Sequence, residues 1–372
     1  MILIVTQVFA PARGGIEYTM TELANQLANA GHQVTVLADG AKEGFTLQSP
    51  YVLKLFCGPR PWRRWQKRCA IAKIAAHQKI TGIICDSWKS VEALPRKFVT
   101  PIAVLAHGAE YPLAASPHKI QRITAALQRA TSIIANSHYT ADLVRPYLPF
   151  PDDARLTIIH PAMTAPPQPS EAAHKEIAHI IGGRGPVISV VARLEERKGV
   201  DRVIAALPEL IKNYPDIILL IGGAGADKDR LAGLTQKLSV AQHVVFLGRI
   251  DDDVKSAVLD ASAIFAMPVR RVGASVEGFG LSYIEAAWFS VPALGGMGCG
   301  ASDAVIDGET GLLCDGADQA KVTQALARML SDEKLRRQWG RAAQIRAQSD
   351  LTWDKTLPRY LRALGIATRA TS

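Results

Sequence analysis

Cysteine is scarce in this sequence and never arranged in pairs. The five residues Cys57, Cys69, Cys85, Cys299 and Cys314 are an odd number with no CxxC and no histidine at zinc-finger spacing. That argues against a disulfide framework or a zinc ribbon, and predicts reduced thiols in a cytoplasmic protein. Long apolar runs are missing too. The least charged stretch, 278–302, contains Glu285, Pro292 and the pair Gly295-Gly296, whereas crossing a bilayer takes roughly 18 to 20 apolar residues. No positive n-region or small-residue cleavage site precedes Ile2-Leu3-Ile4-Val5, so the start reads as a first strand rather than a signal peptide. The 29 glycines and 21 prolines are scattered rather than gathered in tracts, which argues against collagen and low-complexity disorder.

What is present is a globular composition in a chain of 372 residues, 48% hydrophobic and 21% charged. That length exceeds what one hydrophobic core usually serves and favours two domains. The net charge of +9 is uneven: residues 1–165 hold 18 Lys and Arg against 10 Asp and Glu, while residues 166–372 hold 25 against 24. The basic excess belongs to the first half and points to an anionic partner for it.

Apolar runs rich in β-branched residues recur at 2–5, 34–37, 52–56, 82–85, 102–106, 132–135 and 156–159, with helical patterns in the longer gaps. Between the first two, Ile16, Met20, Leu23, Leu27 and Ala30 line one helix face that Gly31 can end. From 160 to 185 the alternation stops among prolines and paired glycines, then restarts at 187–192, 217–221, 244–247 and 263–267. The expected organisation is an α/β fold of two doubly wound, Rossmann-like domains facing a cleft: residues 1–165, a linker at 166–185, residues 186–352, and a C-terminal helix at 353–372 packing back on the first domain.

Several segments could carry chemistry. Gly14-Gly15 opens the first helix, where backbone amides and the helix N-terminus favour a phosphate, although a tight strand-to-helix turn accounts for the pair equally well. Arg193 at a strand end and Lys198 at the start of the next helix suit a diphosphate, one as a planar fork and the other as a point charge. Arg197 reads as solvated surface. The most specific segment runs from Glu277 through Gly278-Phe279-Gly280-Leu281 to Glu285. Its two carboxylates straddle a glycine turn and a helix start, so the amides of Phe279, Gly280 and Leu281 can cap an anion between acceptors suited to sugar hydroxyls. The plain alternative is a loop Glu and an ordinary helical Glu, but Glu285 lies among Tyr283, Ile284, Ala286, Ala287 and Trp288, where an unpaired carboxylate is costly. Asp251-Asp252-Asp253 resembles a metal-binding DxD cluster, yet it precedes a helical run and reads as an N-cap.

In order and spacing, these segments resemble the retaining glycosyltransferases of family 4, which have the glycosyltransferase B fold. The resemblance rests on Gly14-Gly15, His107-Gly108, Ala135-Asn136-Ser137, Arg193 to Lys198-Gly199 and Glu277 to Glu285. It implies a UDP-, GDP- or ADP-sugar donor bound between the domains, with no cofactor and no metal. Glu277 would hold sugar hydroxyls, Glu285 the ribose, Arg193 and Lys198 the diphosphate, the Gly15 amide would meet that diphosphate, and His107 would touch the donor sugar. Glu110 would face the acceptor. One departure is His160-Pro161, where members of the family often carry an Asn-Gly turn.

Residues 54–79 hold eight Lys or Arg and no acid. Trp62, Trp65, Cys69 and Ala72 step along one helix face, with Arg63, Arg64, Lys67 and Arg68 on others, the pattern of a basic interfacial helix. The alternative is a core-packed helix with a solvated cationic side. No nucleic-acid-binding motif accompanies the patch. The expectation is therefore a metal-independent hexosyltransferase on the inner face of the cytoplasmic membrane, acting on a lipid-linked or cell-envelope glycan acceptor in polysaccharide or lipopolysaccharide synthesis. Its rivals are a non-catalytic sugar-nucleotide binder and a sugar-nucleotide epimerase.

Overall fold

The computed structural model describes residues 1–12, 14–40, 49–96 and 98–367. The chain divides into two units, Met1–Ala162 with Trp353–Ser372, and Met163–Thr352. The first contains β1 (Ile2–Thr6), α1 (Gly15–Asn29), β2 (Val34–Asp39), β3 (Val52–Phe56), α2 (Arg60–His77), β4 (Gly82–Cys85), α3 (Trp88–Val91), β5 (Ile102–Ala106), α4 (Pro117–Gln128), β6 (Ser132–Ala135), α5 (His138–Val144) and β7 (Leu156–Ile158). Its sheet is parallel, in the order β3-β2-β1-β4-β5-β6-β7. Every residue of β1 is buried, as expected of a strand with helices on both faces.

The second unit contains α6 (Glu171–Ile181), β8 (Val187–Val191), α7 (Val200–Leu210), β9 (Ile218–Gly222), α8 (Lys228–Lys237), β10 (Val244–Gly248), α9 (Asp252–Asp260), β11 (Ile264–Met267), α10 (Leu281–Trp288), β12 (Ala293–Gly296), α11 (Ala301–Ala304), β13 (Gly311–Cys314), α12 (Gln319–Ser331) and α13 (Glu333–Ser349). Its six strands are parallel, in the order β10-β9-β8-β11-β12-β13. Alternate residues feed two cores: Ile188, Leu219 and Ile221 pack with Val203, Leu207 and Leu326, while Val187, Ile218 and Leu220 pack with Ile177 and Val258.

That second core corrects the expected linker at 166–185. Ser170 caps α6 by accepting from the Ala173 amide, and Ala173 and Ile177 are buried. Only a short extended segment precedes the helix. The final helix, α14 (Trp353–Ala363), belongs to the first unit, where Trp353, Tyr360 and Leu361 join Ile2, Ile4 and the buried face of α1 in one cluster.

Candidate active site

In the second sheet the strand order reverses between β8 and β11, and doubly wound sheets bind ligands beyond the carboxyl ends of such strands. The loop after β8 carries Arg193 to Lys198, and the loop after β11 leads to Glu277 and α10. Gly199 ends the turn Glu196–Lys198 with φ 73°, and a Cβ there would lie 2.2 Å from the Pro268 carbonyl oxygen. The Arg270 amide donates to the Arg197 carbonyl at 2.9 Å. These backbone contacts hold the two loops together.

Across them runs a continuous ion network. Arg193 meets Glu195 Oε1 at 3.0 Å, and Arg197 Nε donates to Glu195 Oε2 at 2.9 Å. Arg197 Nη1 donates to Glu277 Oε2 at 2.8 Å, and Lys198 Nζ reaches the same oxygen at 2.5 Å. Arg197 and Lys198 are buried, whereas the Arg193 side chain is 65% exposed. Burial works against the charge of Glu277, but Lys198 and Arg197 outweigh it and hold the carboxyl below its ordinary value. The structure therefore joins Glu277 directly to Lys198 and links Arg193 only through Glu195. Arg197 is not solvated surface, because the 3-10 turn buries both basic side chains beside the acid.

Gly280 caps α10 with φ 97°, and a Cβ there would lie 2.5 Å from the Tyr283 ring. Phe279 is buried just before it, and Tyr283 donates to the Met267 carbonyl at 2.5 Å, which ties the helix to β11. Within α10, Glu285 Oε1 accepts from Lys255 of α9 at 2.6 Å. Burial disfavours the Lys255 ammonium, yet Glu285 and Asp252 hold it above the ordinary lysine value. Lys255 lies on another element, and no local spacing in the sequence marks it as a partner. The three aspartates have separate partners: Asp251 caps α9 through the Val254 amide, Asp252 meets Lys255, and Asp253 accepts from Ser170.

In the first unit Gly14 caps α1 in extended backbone, and Gly15 is exposed. A Cβ on Gly14 would lie 2.3 Å from Glu17 Oε2, so that carboxylate rests at the end of the helix that favours an anion. His107 follows β5. Its amide donates to Glu110 Oε1 at 2.7 Å, while its buried Nε2 has no hydrogen bond among the described residues. Glu110 thus braces the turn with one oxygen.

Helix α2 leaves the tryptophans exposed, on the face the interfacial reading gives them, but turns its cations inward, against that reading. Lys67 and Ile71 are its buried residues, while Trp62 and Trp65 are 51% and 53% exposed, their rings stacked 4.7 Å apart. Lys67 meets Asp39 at 2.6 Å and the Thr6 carbonyl at 2.5 Å, Arg63 meets Asp39 at 3.4 Å, and Arg64 meets Glu92 at 2.8 Å. Arg68, exposed, donates to the Glu92 carbonyl at 2.8 Å. Three of the four cations assigned to the membrane patch are therefore held against the domain by ion pairs, and the fourth, Arg68, by a carbonyl. Ion pairing at Asp39 and Glu92 draws these cations inward and leaves the tryptophan face outward.

The family model "Glycosyltransferase Family 4" matches residues 13–164, and "Glycosyl transferases group 1" matches 174–346. The chain is a family 4 glycosyltransferase. Over 369 residues, 95% of each chain, this glycosyltransferase is 29% identical to the GDP-mannose-dependent alpha-(1-6)-phosphatidylinositol monomannoside mannosyltransferase of Mycolicibacterium smegmatis. It is 35% identical over 192 residues, 51% of this chain and 49% of the other, to the monoacylated-substrate counterpart of Corynebacterium glutamicum. Among solved structures it shares its fold with sucrose-phosphate synthase from Thermosynechococcus elongatus, at a TM-score of 0.81 and 22% identity over 98% and 99% of the two chains.

Proposed function

We propose that this glycosyltransferase moves a hexose from a nucleoside diphosphate sugar to a hydroxyl of a lipid-linked or cell-envelope acceptor, with retention at the anomeric carbon and without a metal. The state of Glu277 carries the reading. Both cations sit on Oε2, and Oε1 takes no hydrogen bond among the described residues, so an ionised carboxylate keeps one oxygen for sugar hydroxyls. Glu285 repeats the pattern for ribose hydroxyls, with Lys255 on Oε1. In the first unit the Gly15 amide and His107 are assigned to donor contacts, and Glu110 to the acceptor side.

As the bond from the sugar C1 to the phosphate oxygen breaks, negative charge gathers on the diphosphate. Lys198, Arg193 and the start of α10 at Phe279 to Leu281 are assigned to stabilise it. Membership of the family implies that the acceptor oxygen bonds to C1 on the same face and that its proton passes to the departing phosphate. The relatives' names make GDP-mannose the first donor to try, ahead of UDP- and ADP-sugars. Product analysis with each donor in EDTA tests the proposal. Transfer is expected in the chelator; activity abolished by EDTA and restored by manganese would overturn the metal-free step, and donor consumption without transfer would favour another reaction.

Among the described residues no helix is long and apolar enough to cross a membrane. Attachment at the inner face of the cytoplasmic membrane is proposed instead through Trp62 and Trp65, with the exposed Arg60, Arg68 and Lys73 beside them on α2.

A further inference from the structure

A cavity of about 550 Å³ opens within the first unit, lined by Gln7 just after β1, Asp39 at the end of β2, and Trp88 and Ser90 just after β4. The strand order β2-β1-β4 makes this the place where that sheet reverses, the position at which doubly wound sheets take ligands. Neither Glu277 nor any other donor residue of the second unit lines it.

Its walls are strongly cationic. Arg63 and Lys67 share Asp39, and Arg64 and Arg122 share Glu92 beside the cavity. Arg60, Lys89 and Lys119 also line it and have no ion pair among the described residues. Asp86, buried behind Gln7 and Ser90, adds a third carboxylate, and seven cations against three carboxylates leave an excess of four positive charges around one concavity. Lys67 is only 3% exposed, and burial pulls its ammonium below the ordinary value although Asp39 opposes the shift. Lys89 and Arg122 lie 5.8 and 5.2 Å from the Trp88 ring centroid, and the first turn of α4 adds Ser116, His118 and Lys119, the helix end that favours an anion. Like charges held this close disfavour one another unless a counter-charge joins them. The volume lies in the range of small-molecule sites, about 300 to 1,000 Å³, which leaves room for more than a bare phosphate.

We infer that this cavity binds a phosphate ester, the anionic part of the acceptor. The assignment to an acceptor rests on the proposed transferase function. The binding chemistry does not: planar guanidinium forks and ammonium groups recognise phosphate oxygens whatever the ester carries. The ester can come from a free phosphorylated polyol or from a lipid headgroup.

The test uses the full chain and the variant Lys89→Gln/Lys119→Gln, which leaves the Asp39 and Glu92 ion pairs in place. Calorimetry with glycerol 3-phosphate, glycerol and GDP is paired with sedimentation of phosphatidylcholine vesicles with and without phosphatidylinositol. The wild type is expected to bind glycerol 3-phosphate but not glycerol. The variant should bind the ester about tenfold or more weakly, with GDP affinity unchanged. Tighter binding to phosphatidylinositol vesicles than to the soluble ester, lost in the variant, assigns the lipid source; the reverse assigns a free phosphorylated acceptor. No binding to either phosphate probe, or equal binding of glycerol 3-phosphate by variant and wild type, overturns the inference. Because binding is read without turnover, a failed transfer assay would count against the proposed function and not against this site.

Discussion

Glu277 takes two buried cations on one oxygen, and the proposed function gives its two oxygens different tasks. Replacing it with Gln keeps the shape but removes the charge. Turnover should fall roughly ten- to a hundredfold, as expected for lost hydrogen bonds to a charged group of about 1.5 to 3 kcal/mol, while the nucleoside diphosphate affinity of the variant, measured by calorimetry, changes less than about threefold. Weakened nucleotide binding with unchanged turnover would contradict the assignment. The variant should also melt earlier, because Arg197 and Lys198 lose their counter-charge. Acid sensitivity gives a second readout. The folded carboxyl titrates below its ordinary 4.5, so its contribution to stability is full above that value and is lost as pH falls through the lower folded value. Wild type should show that loss in acid melts and Glu277→Gln should not. Arg197→Met removes one of the two cations that hold Glu277 down, so the acid limb of kcat/KM should move to higher pH, and Arg197→Lys should return it. A limb unmoved by Arg197→Met would reduce Arg197 to packing.

At the scale of elements, α2 separates two roles that its sequence mixed. Trp62 and Trp65 are exposed and Ile71 is fully buried, so Trp62→Ala/Trp65→Ala should leave stability within about 0.5 kcal/mol yet lose co-sedimentation with anionic vesicles. Ile71→Ala should cost about 2 to 5 kcal/mol. Vesicle binding that survives loss of both tryptophans would place the contact elsewhere. The same helix shows why reading the sequence reached only part of the way. β1, β2 and β8 were legible because strands covered on both faces are largely apolar and rich in β-branched residues, whereas β12, Ala293-Leu294-Gly295-Gly296, has no β-branched residue and was missed along with β13. The segment from Glu277 to Glu285 stood out through its glycines. The partners Arg197, Lys255 and Glu195 did not, because an ion pair across elements leaves no periodicity. The tryptophans of α2 are exposed as read, but its cations were assigned to the membrane side because Asp39 and Glu92, which draw them inward, lie on other elements.

At the scale of the molecule, the chain passes from the first unit to the second after Ala162 and returns at Trp353. Trp353, Tyr360, Leu361 and Leu364 are each at most 5% exposed within the first unit's core. At about 1.5 to 3 kcal/mol for each large apolar side chain buried, their removal approaches the whole stability of an ordinary domain. Truncation after Thr352 should therefore abolish or sharply lower the melting transition of the first unit and leave that of residues 163–352 nearly in place, which calorimetry would resolve as two peaks becoming one. Loss of both transitions together would show that the units do not melt separately. The same arrangement sets an order of events at the ribosome. Domains generally fold from the N-terminus as they emerge, at about 5 to 20 residues per second, but here the first sheet is made early and its covering helix α14 only after the whole second unit has been synthesised. Of the two units, the one synthesised first finishes folding last, and until then the apolar surface meant for α14 stays open to chaperones.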